Sequence, residues 1–273
     1  MTVIVVIVVV ALVGAGIGVA LGGGSNGTST TTSSTPNAAA AGPARQLLRS
    51  ALAAAGGIND FHYVASSTVS GGNGYSQKTV GDAGPSSGKQ VITIGAQRFT
   101  VIVVGTACYL KGNASALVAN LGLSSAQAAA HAGQWISLAK TDAPYASVYA
   151  AVTAPSAIAD NITITATSVL APTTVDGRQV QTVTGSIAPT RIAGQTIAPK
   201  GTASLAVRAR SPHLPVRYVE AGTENHQKSV STVTFSRWGE AVAVTAPTNA
   251  VAYSSLGVGS GSITTTPGGT VVT

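Results

Sequence analysis

Charged side chains are scarce in this sequence: Asp, Glu, Lys and Arg make up 8% of its 273 residues, against about 25% in an ordinary soluble domain. Eight acids leave little for paired-carboxylate chemistry, and the closest pair along the chain is Glu220 and Glu224. Cysteine occurs once, at Cys108, so this sequence can form neither an intramolecular disulfide nor a Cys-based zinc site. The flanks of Cys108, Thr106-Ala107 and Tyr109-Leu110, suit a buried inert thiol better than a nucleophile. His62, His131, His213 and His226 are dispersed without metal-ligand spacing. No Gly-x-Ser-x-Gly elbow stands between a strand and a helix pattern, the matches at 23–27 and 84–88 lying in the linker and between two strand patterns, and His-Glu-x-x-His, a Walker loop and a Gly-x-Gly-x-x-Gly turn after a strand are missing. A non-catalytic protein without metal or cofactor is therefore expected. Aromatic residues are only 4%, and Trp135 and Trp238, each within two residues of a glycine near a strand boundary, are read as packing anchors.

The features that are present start at the N-terminus. Residues 3–21, VIVVIVVVALVGAGIGVAL, carry no charge and match the roughly 20 residues a helix needs to cross a bilayer. Residues 1–21 are read as an uncleaved transmembrane anchor. The alternative is a signal peptide cleaved near Ala38-Ala39-Ala40, and both readings export the rest of the chain. Residues 22–43 are rich in Ser, Thr, Gly and Ala without a charge, the composition of a flexible linker. At roughly 5–6 Å × √n such a linker holds the next domain about 25 Å from the anchor. The positive-inside rule finds no Lys or Arg beside the span. The linker is what places the C-terminal domain outside the cell membrane, on a single-pass protein.

Fifteen Lys and Arg and all eight acids fall between Arg45 and Glu240, so the net charge of +7 belongs to residues 44–255. That balance favours anionic neighbours such as phospholipid head groups. Nucleic acid is not expected, because the cations are scattered and the tightest group is Arg208, Arg210 and Arg217.

The domain opens with a helix over 44–55, with Leu47, Leu48, Ala51, Leu52 and Ala55 on one face and Arg45 and Arg49 on the other. Strand patterns come next at 61–69 and 75–80, then three consecutive antiparallel strands between Gln90 and Lys111. The middle one, 99–104, is nearly uncharged and is expected deep in the sheet with both faces covered. Residues 113–121, 124–132 and 144–159 read as helical, with Ser124 as an N-cap and Pro155 interrupting the last. Strands return at 162–170, 173–187, 202–210, 215–221, 230–236 and 241–246, with Asp176-Gly177 as a hairpin turn. Strand blocks flanking a helical insert make one α+β domain with its sheet covered on one face by helices. Residues 256–273, mostly Gly, Ser and Thr, read as a disordered tail.

An ordered series then stands out: the first helix followed by Phe61-His62-Tyr63, the hairpin ending in Gly105-Thr106-Ala107-Cys108-Tyr109-Leu110-Lys111-Gly112, Gly133-Gln134-Trp135-Ile136, Leu214-Pro215-Val216-Arg217-Tyr218, and Val233-Thr234-Phe235-Ser236-Arg237-Trp238-Gly239 with Val242 to Pro247. Over residues 44–247 this series resembles the LppX/LprG envelope lipoproteins of mycobacteria, whose half-barrel is shared with LolA-type carriers. The resemblance implies a curved antiparallel sheet with helices over its concave face, enclosing an apolar cavity for acyl chains. Those proteins carry a lipidated cysteine after the signal's apolar core. Here there is none, and the helix would serve as the tether.

On that resemblance the cavity lining is expected from Leu47, Leu48 and Leu52 of the first helix, Leu117, Val118 and Leu121 of the insert, and Val101 and Val103 of the central strand. Arg208 or Arg217 would meet an anionic head group. Two functions are open: a membrane-anchored protein of an actinobacterial envelope that binds or transfers a lipid, or a non-catalytic structural or protein-interaction domain with a filled core. The first needs a cavity and the second does not.

Overall fold

The computed structural model of the chain describes residues 38–71, 74–152, 158, 162–192, 195–197, 200–224 and 227–257. Residues 1–21, expected to form an anchor, residues 22–37 and residues 258–273 lie outside the described residues. Among the described residues no helix is long and apolar enough to cross a membrane.

Helix α1 spans Ala38–Gly56. It begins upstream of Ala44, so residues 38–43, expected in the linker, belong to the helix. The reason is the alanine run: alanine has the highest helix propensity, and Ala41 and Ala44 are buried against the domain. Pro43 is accommodated inside the helix, where it donates no backbone hydrogen bond.

Strands β1 (Phe61–Ser70), β2 (Tyr75–Ala83), β3 (Ser87–Ile94), β4 (Gln97–Val104) and β5 (Ala107–Gly112) form an antiparallel meander. Burial alternates along β1 from Phe61 to Ser70, so one face is packed and the other wet. After β5 come α2 (Ala114–Leu121), α3 (Ser125–His131), β6 (Ile136–Leu138) and α4 (Tyr145–Val152). Asn113 caps α2 by accepting from the Ala116 amide, and Ser124 and Gln127 form a reciprocal capping box on α3.

The second run of strands is β7 (Ile164–Val169), β8 (Thr173–Val175), β9 (Arg178–Ile187), β10 (Thr190–Ile192), β11 (Gln195–Ile197), β12 (Lys200–Arg208), β13 (Pro215–Glu224) and β14 (Gln227–Ser236). Asp176 and Gly177 both have positive φ, 49° and 74°, as a two-residue I′ hairpin turn between β8 and β9 demands. The small β10–β11 hairpin stands apart as its own sheet. The pattern of residues 188–201 does not announce it.

The two runs join because β1 pairs with β14 along nearly its whole length. The sheet order is β15-β6-β5-β4-β3-β2-β1-β14-β13-β12-β9-β7, where β15 is Val251–Ala252, with β8 beside β9. All pairings are antiparallel except β15 with β6. The path has two free ends, so the sheet is open, and helices cover one face of it, as in a half-barrel.

Register identifies that inner face. Tyr63, Gly81, Gln90, Val101, Leu110 and Ile136 are successive cross-strand partners, and all six are buried. Helix α1 packs at one end of this face, on β7, β9 and β13, while α2 and α4 pack at the other, on β4 and β5 and on β2 to β5.

Two expectations are corrected. Residues 241–246 form no strand and pair with no strand among the described residues. They come after β14, whose two neighbours are already β1 and β13, so a chain leaving it has no free edge to join. Its backbone is tied instead to the loop before β1, where the Val242 amide donates to Asp60 Oδ1 at 3.2 Å. Leu256, placed in the tail, ends a 3-10 turn over Tyr253–Leu256 and is buried at 4% exposure, with its carbonyl accepting from Gln127 Nε2.

Candidate functional site

The inner face carries two apolar clusters. The first joins Ala44, Ala51 and Ala55 of α1 to Phe61 and Tyr63 of β1, Leu205 and Val207 of β12, Tyr218 of β13 and Phe235 of β14. The second joins Ile92, Phe99, Val101 and Val103 to Leu117 and Leu121 of α2, Ala128 of α3 and Val148 and Val152 of α4.

Between them runs β2, whose inward residues are Gln77, Thr79, Gly81 and Ala83. Only Ala83 joins a cluster. This seam is polar or small. Thr79 Oγ1 is buried with no hydrogen-bond partner among the described residues, at a cost of about 1–3 kcal/mol. A β-carbon at Gly81 would lie 2.4 Å from Tyr63 Cε1, so glycine is what lets the Tyr63 ring lie across β2. From there Tyr63 Oη accepts a hydrogen bond from Gln90 Nε2.

The expected lining residues therefore fall on both sides of the seam. Val101, Val103, Leu117 and Leu121 are fully packed in the second cluster, with Val118 partly buried against it. Leu47, Leu48 and Leu52 belong with the first cluster, where they are only half-buried. Helix α1 presses its alanines onto the sheet and leaves its leucines at the margin. There a groove of about 300 Å³ opens, lined by Pro43, Gln46, Leu47, Val169, Gln181 and His213, at the small end of the roughly 300–1,000 Å³ of ligand pockets.

Arg208 and Arg217 do not stand at this mouth. Arg208 is in register with Val180, and Arg217 with Ala206 and Thr234, which puts both on the outer face. Val180, Ala206 and Val216 form a small cluster there, apart from the two inner ones. The basic side chain at the groove is His213, whose Nδ1 lies 2.9 Å from the Arg208 carbonyl.

Sequence reading passed over one group that matters here. Glu220 is 5% exposed on the inner face of β13, its Oε2 3.0 Å from Tyr218 Oη and 3.3 Å from Thr163 Oγ1. Burial pushes its carboxyl up to about 7, although hydrogen bonds from Tyr218 and Thr163 oppose the shift. No ion pair to Glu220 occurs among the described residues. The available signal was parity: Glu220 lies two residues beyond the buried Tyr218 on one strand. Cys108, by contrast, is where it was expected, 1% exposed, with burial pushing its thiol up to about 11.

No protein-family model matches the chain, and no curated protein sequence matches it. Among solved structures the chain is similar to lipoprotein LppX of Mycobacterium tuberculosis, with 16% identity over 74% of this chain and 98% of that one and a TM-score of 0.44. It is also similar to LprF of Mycobacterium bovis, with 15% identity over 75% of this chain and 97% of that one and a TM-score of 0.43. A LolA superfamily protein of Nitrosomonas europaea matches more distantly, with 10% identity over 71% of this chain and 91% of that one and a TM-score of 0.26. LppX is a namesake of the family that the ordered series of sequence motifs resembles.

Proposed function

We propose that this chain is an extracytoplasmic, membrane-tethered lipid-binding protein of a bacterial envelope, with no catalytic role, that holds acyl chains along α1 and hands them on. The observation that carries this reading is the placement of α1: alanines inward, Leu47, Leu48 and Leu52 half-exposed, and a groove beside Leu47. Covering the exposed half of each leucine contributes on the order of 1 kcal/mol, and each methylene of the chain about 0.8 kcal/mol. The apolar run at residues 3–21 supplies the tether, as residues 1–21 are read.

A second reading, a protein-interaction domain with a filled core, draws on the other cluster, where Leu117 and Val103 are fully buried. Native mass spectrometry separates the two. The full chain is purified in detergent from an envelope that makes mycobacterial-type lipids, and its ligand is then extracted into organic solvent. A stoichiometric adduct that extracts as a discrete lipid is the expected result. A clean apo mass, with no uptake of a fluorescent fatty acid, would transfer the assignment to the second reading.

A further inference from the structure

A groove of about 640 Å³ lies on the outer face of β4 and β5, on the far side of the sheet from the α1 groove, and Thr93, Arg98, Thr100, Lys111 and Asn113 are among its walls. Register places Arg98 opposite Thr93 and Lys111 opposite Thr100, so two cations and two hydroxyls occupy one patch of sheet. No carboxylate lines the groove, and neither cation is ion-paired among the described residues. Arg237 makes the contrast, because it is engaged by both Asp82 and Glu240.

The Lys111 side chain and the Arg98 backbone are both held in place. The Lys111 ammonium lies 5.3 Å from the centre of the Trp135 ring, a cation–π contact that restricts its flexible stem. The Arg98 backbone is clamped on two sides: its amide donates to Asn113 Oδ1 at 3.2 Å, and its carbonyl accepts from the Asn113 amide at 3.0 Å. Asn113 also caps α2, so the base of Arg98 is tied to a helix end. A guanidinium fork, an ammonium and two hydroxyls lining one groove are the kinds of donor that a phosphate takes. The net charge of +7 draws anions toward the domain.

We infer that the Arg98–Lys111 groove binds a phosphate group, carried either by a lipid head group or by a small soluble ester. The site is independent of the α1 groove and stands whether or not that groove takes a lipid.

The experiment uses the full chain in detergent, titrated separately with inorganic phosphate, sn-glycerol 3-phosphate and phosphatidylglycerol vesicles. Isothermal calorimetry reads binding. Trp135 fluorescence in a Trp238→Phe background reads the site itself, and if that variant does not fold the calorimetry stands alone. Saturable binding is expected, weakened about tenfold or more in Arg98→Gln and in Lys111→Gln, and restored largely by Lys111→Arg. Saturation by the soluble phosphates assigns a soluble ester, and saturation by vesicles alone assigns a head group. No saturable response to any of the three probes, or a response that both glutamine variants keep, overturns the inference.

Discussion

The two ends of the inner face solve one problem in opposite ways. At the insert end, short capped helices bury large side chains completely: Leu117 is 0% exposed and Leu121 3%. At the α1 end a long helix buries Ala44, Ala51 and Ala55 at 0% and leaves three leucines half out. Apolar burial scales with area, so each leucine sealed at the insert end contributes more than each alanine sealed under α1. The α1 end also contains Glu220, a carboxyl whose burial works against the fold. On the proposed function, one end serves as a scaffold and the other is the part that a lipid would displace.

The sharpest break in that contrast comes from truncating the scaffold. Leu117→Ala is expected to lower stability by about 2–5 kcal/mol, whereas Leu48→Ala, half-buried on α1, is expected to lower it by about 1 kcal/mol. Urea unfolding of both variants reads the difference, and equal losses would erase the distinction.

Glu220 tests the α1 end through pH. Its folded pKa of about 7 lies above the ordinary 4.5, so folding favours the protonated form. The stability tied to this group is complete below about pH 4.5 and falls as the pH rises to about 7, a total of about 3 kcal/mol. Glu220→Gln keeps the shape without the charge. It should raise the urea midpoint at pH 8 and flatten its slope between pH 4.5 and 7, and an unchanged slope would mean that the carboxyl is solvated.

Gly81→Ala probes the seam. The added methyl would meet the Tyr63 ring, and overpacking of this kind costs about 1–3 kcal/mol. Thermal unfolding should show the loss, and pairing the change with Tyr63→Ala should remove the clash contribution. The smallest effect is expected from Ser124→Ala, which removes the capping box on α3 for about 1 kcal/mol. Circular dichroism melts should register it as a modest drop in midpoint.

Local signals in the sequence carried much of this layout. The phasing of Leu47, Leu48 and Ala51, the cap at Ser124 and the turn at Asp176-Gly177 are written within a few residues each, and the structure has them. The expectation that 99–104 is covered on both faces holds at Ile102, which is 7% exposed and shares a groove with residues 241–245, but not at Thr100, which lines the open outer groove. The hidden part depends on strand order. That Val101 and Leu47 lie in different clusters results from β1 pairing with β14 and from β2 carrying Thr79 and Gly81 inward, neither of which a local pattern encodes. Residues 241–246 alternate like a strand, yet they emerge from β14, which already has β1 and β13 on its two sides.

Hydrogen exchange on the full chain in detergent, with and without a long-chain fatty acid, compares the two ends most directly. Amides of α1 are expected to exchange much faster than those of α2 and of β4 and β5, and to slow when the fatty acid is present while the insert end stays unchanged. Protection in α1 equal to that in α2, indifferent to the fatty acid, would contradict a liftable helix over a lipid groove.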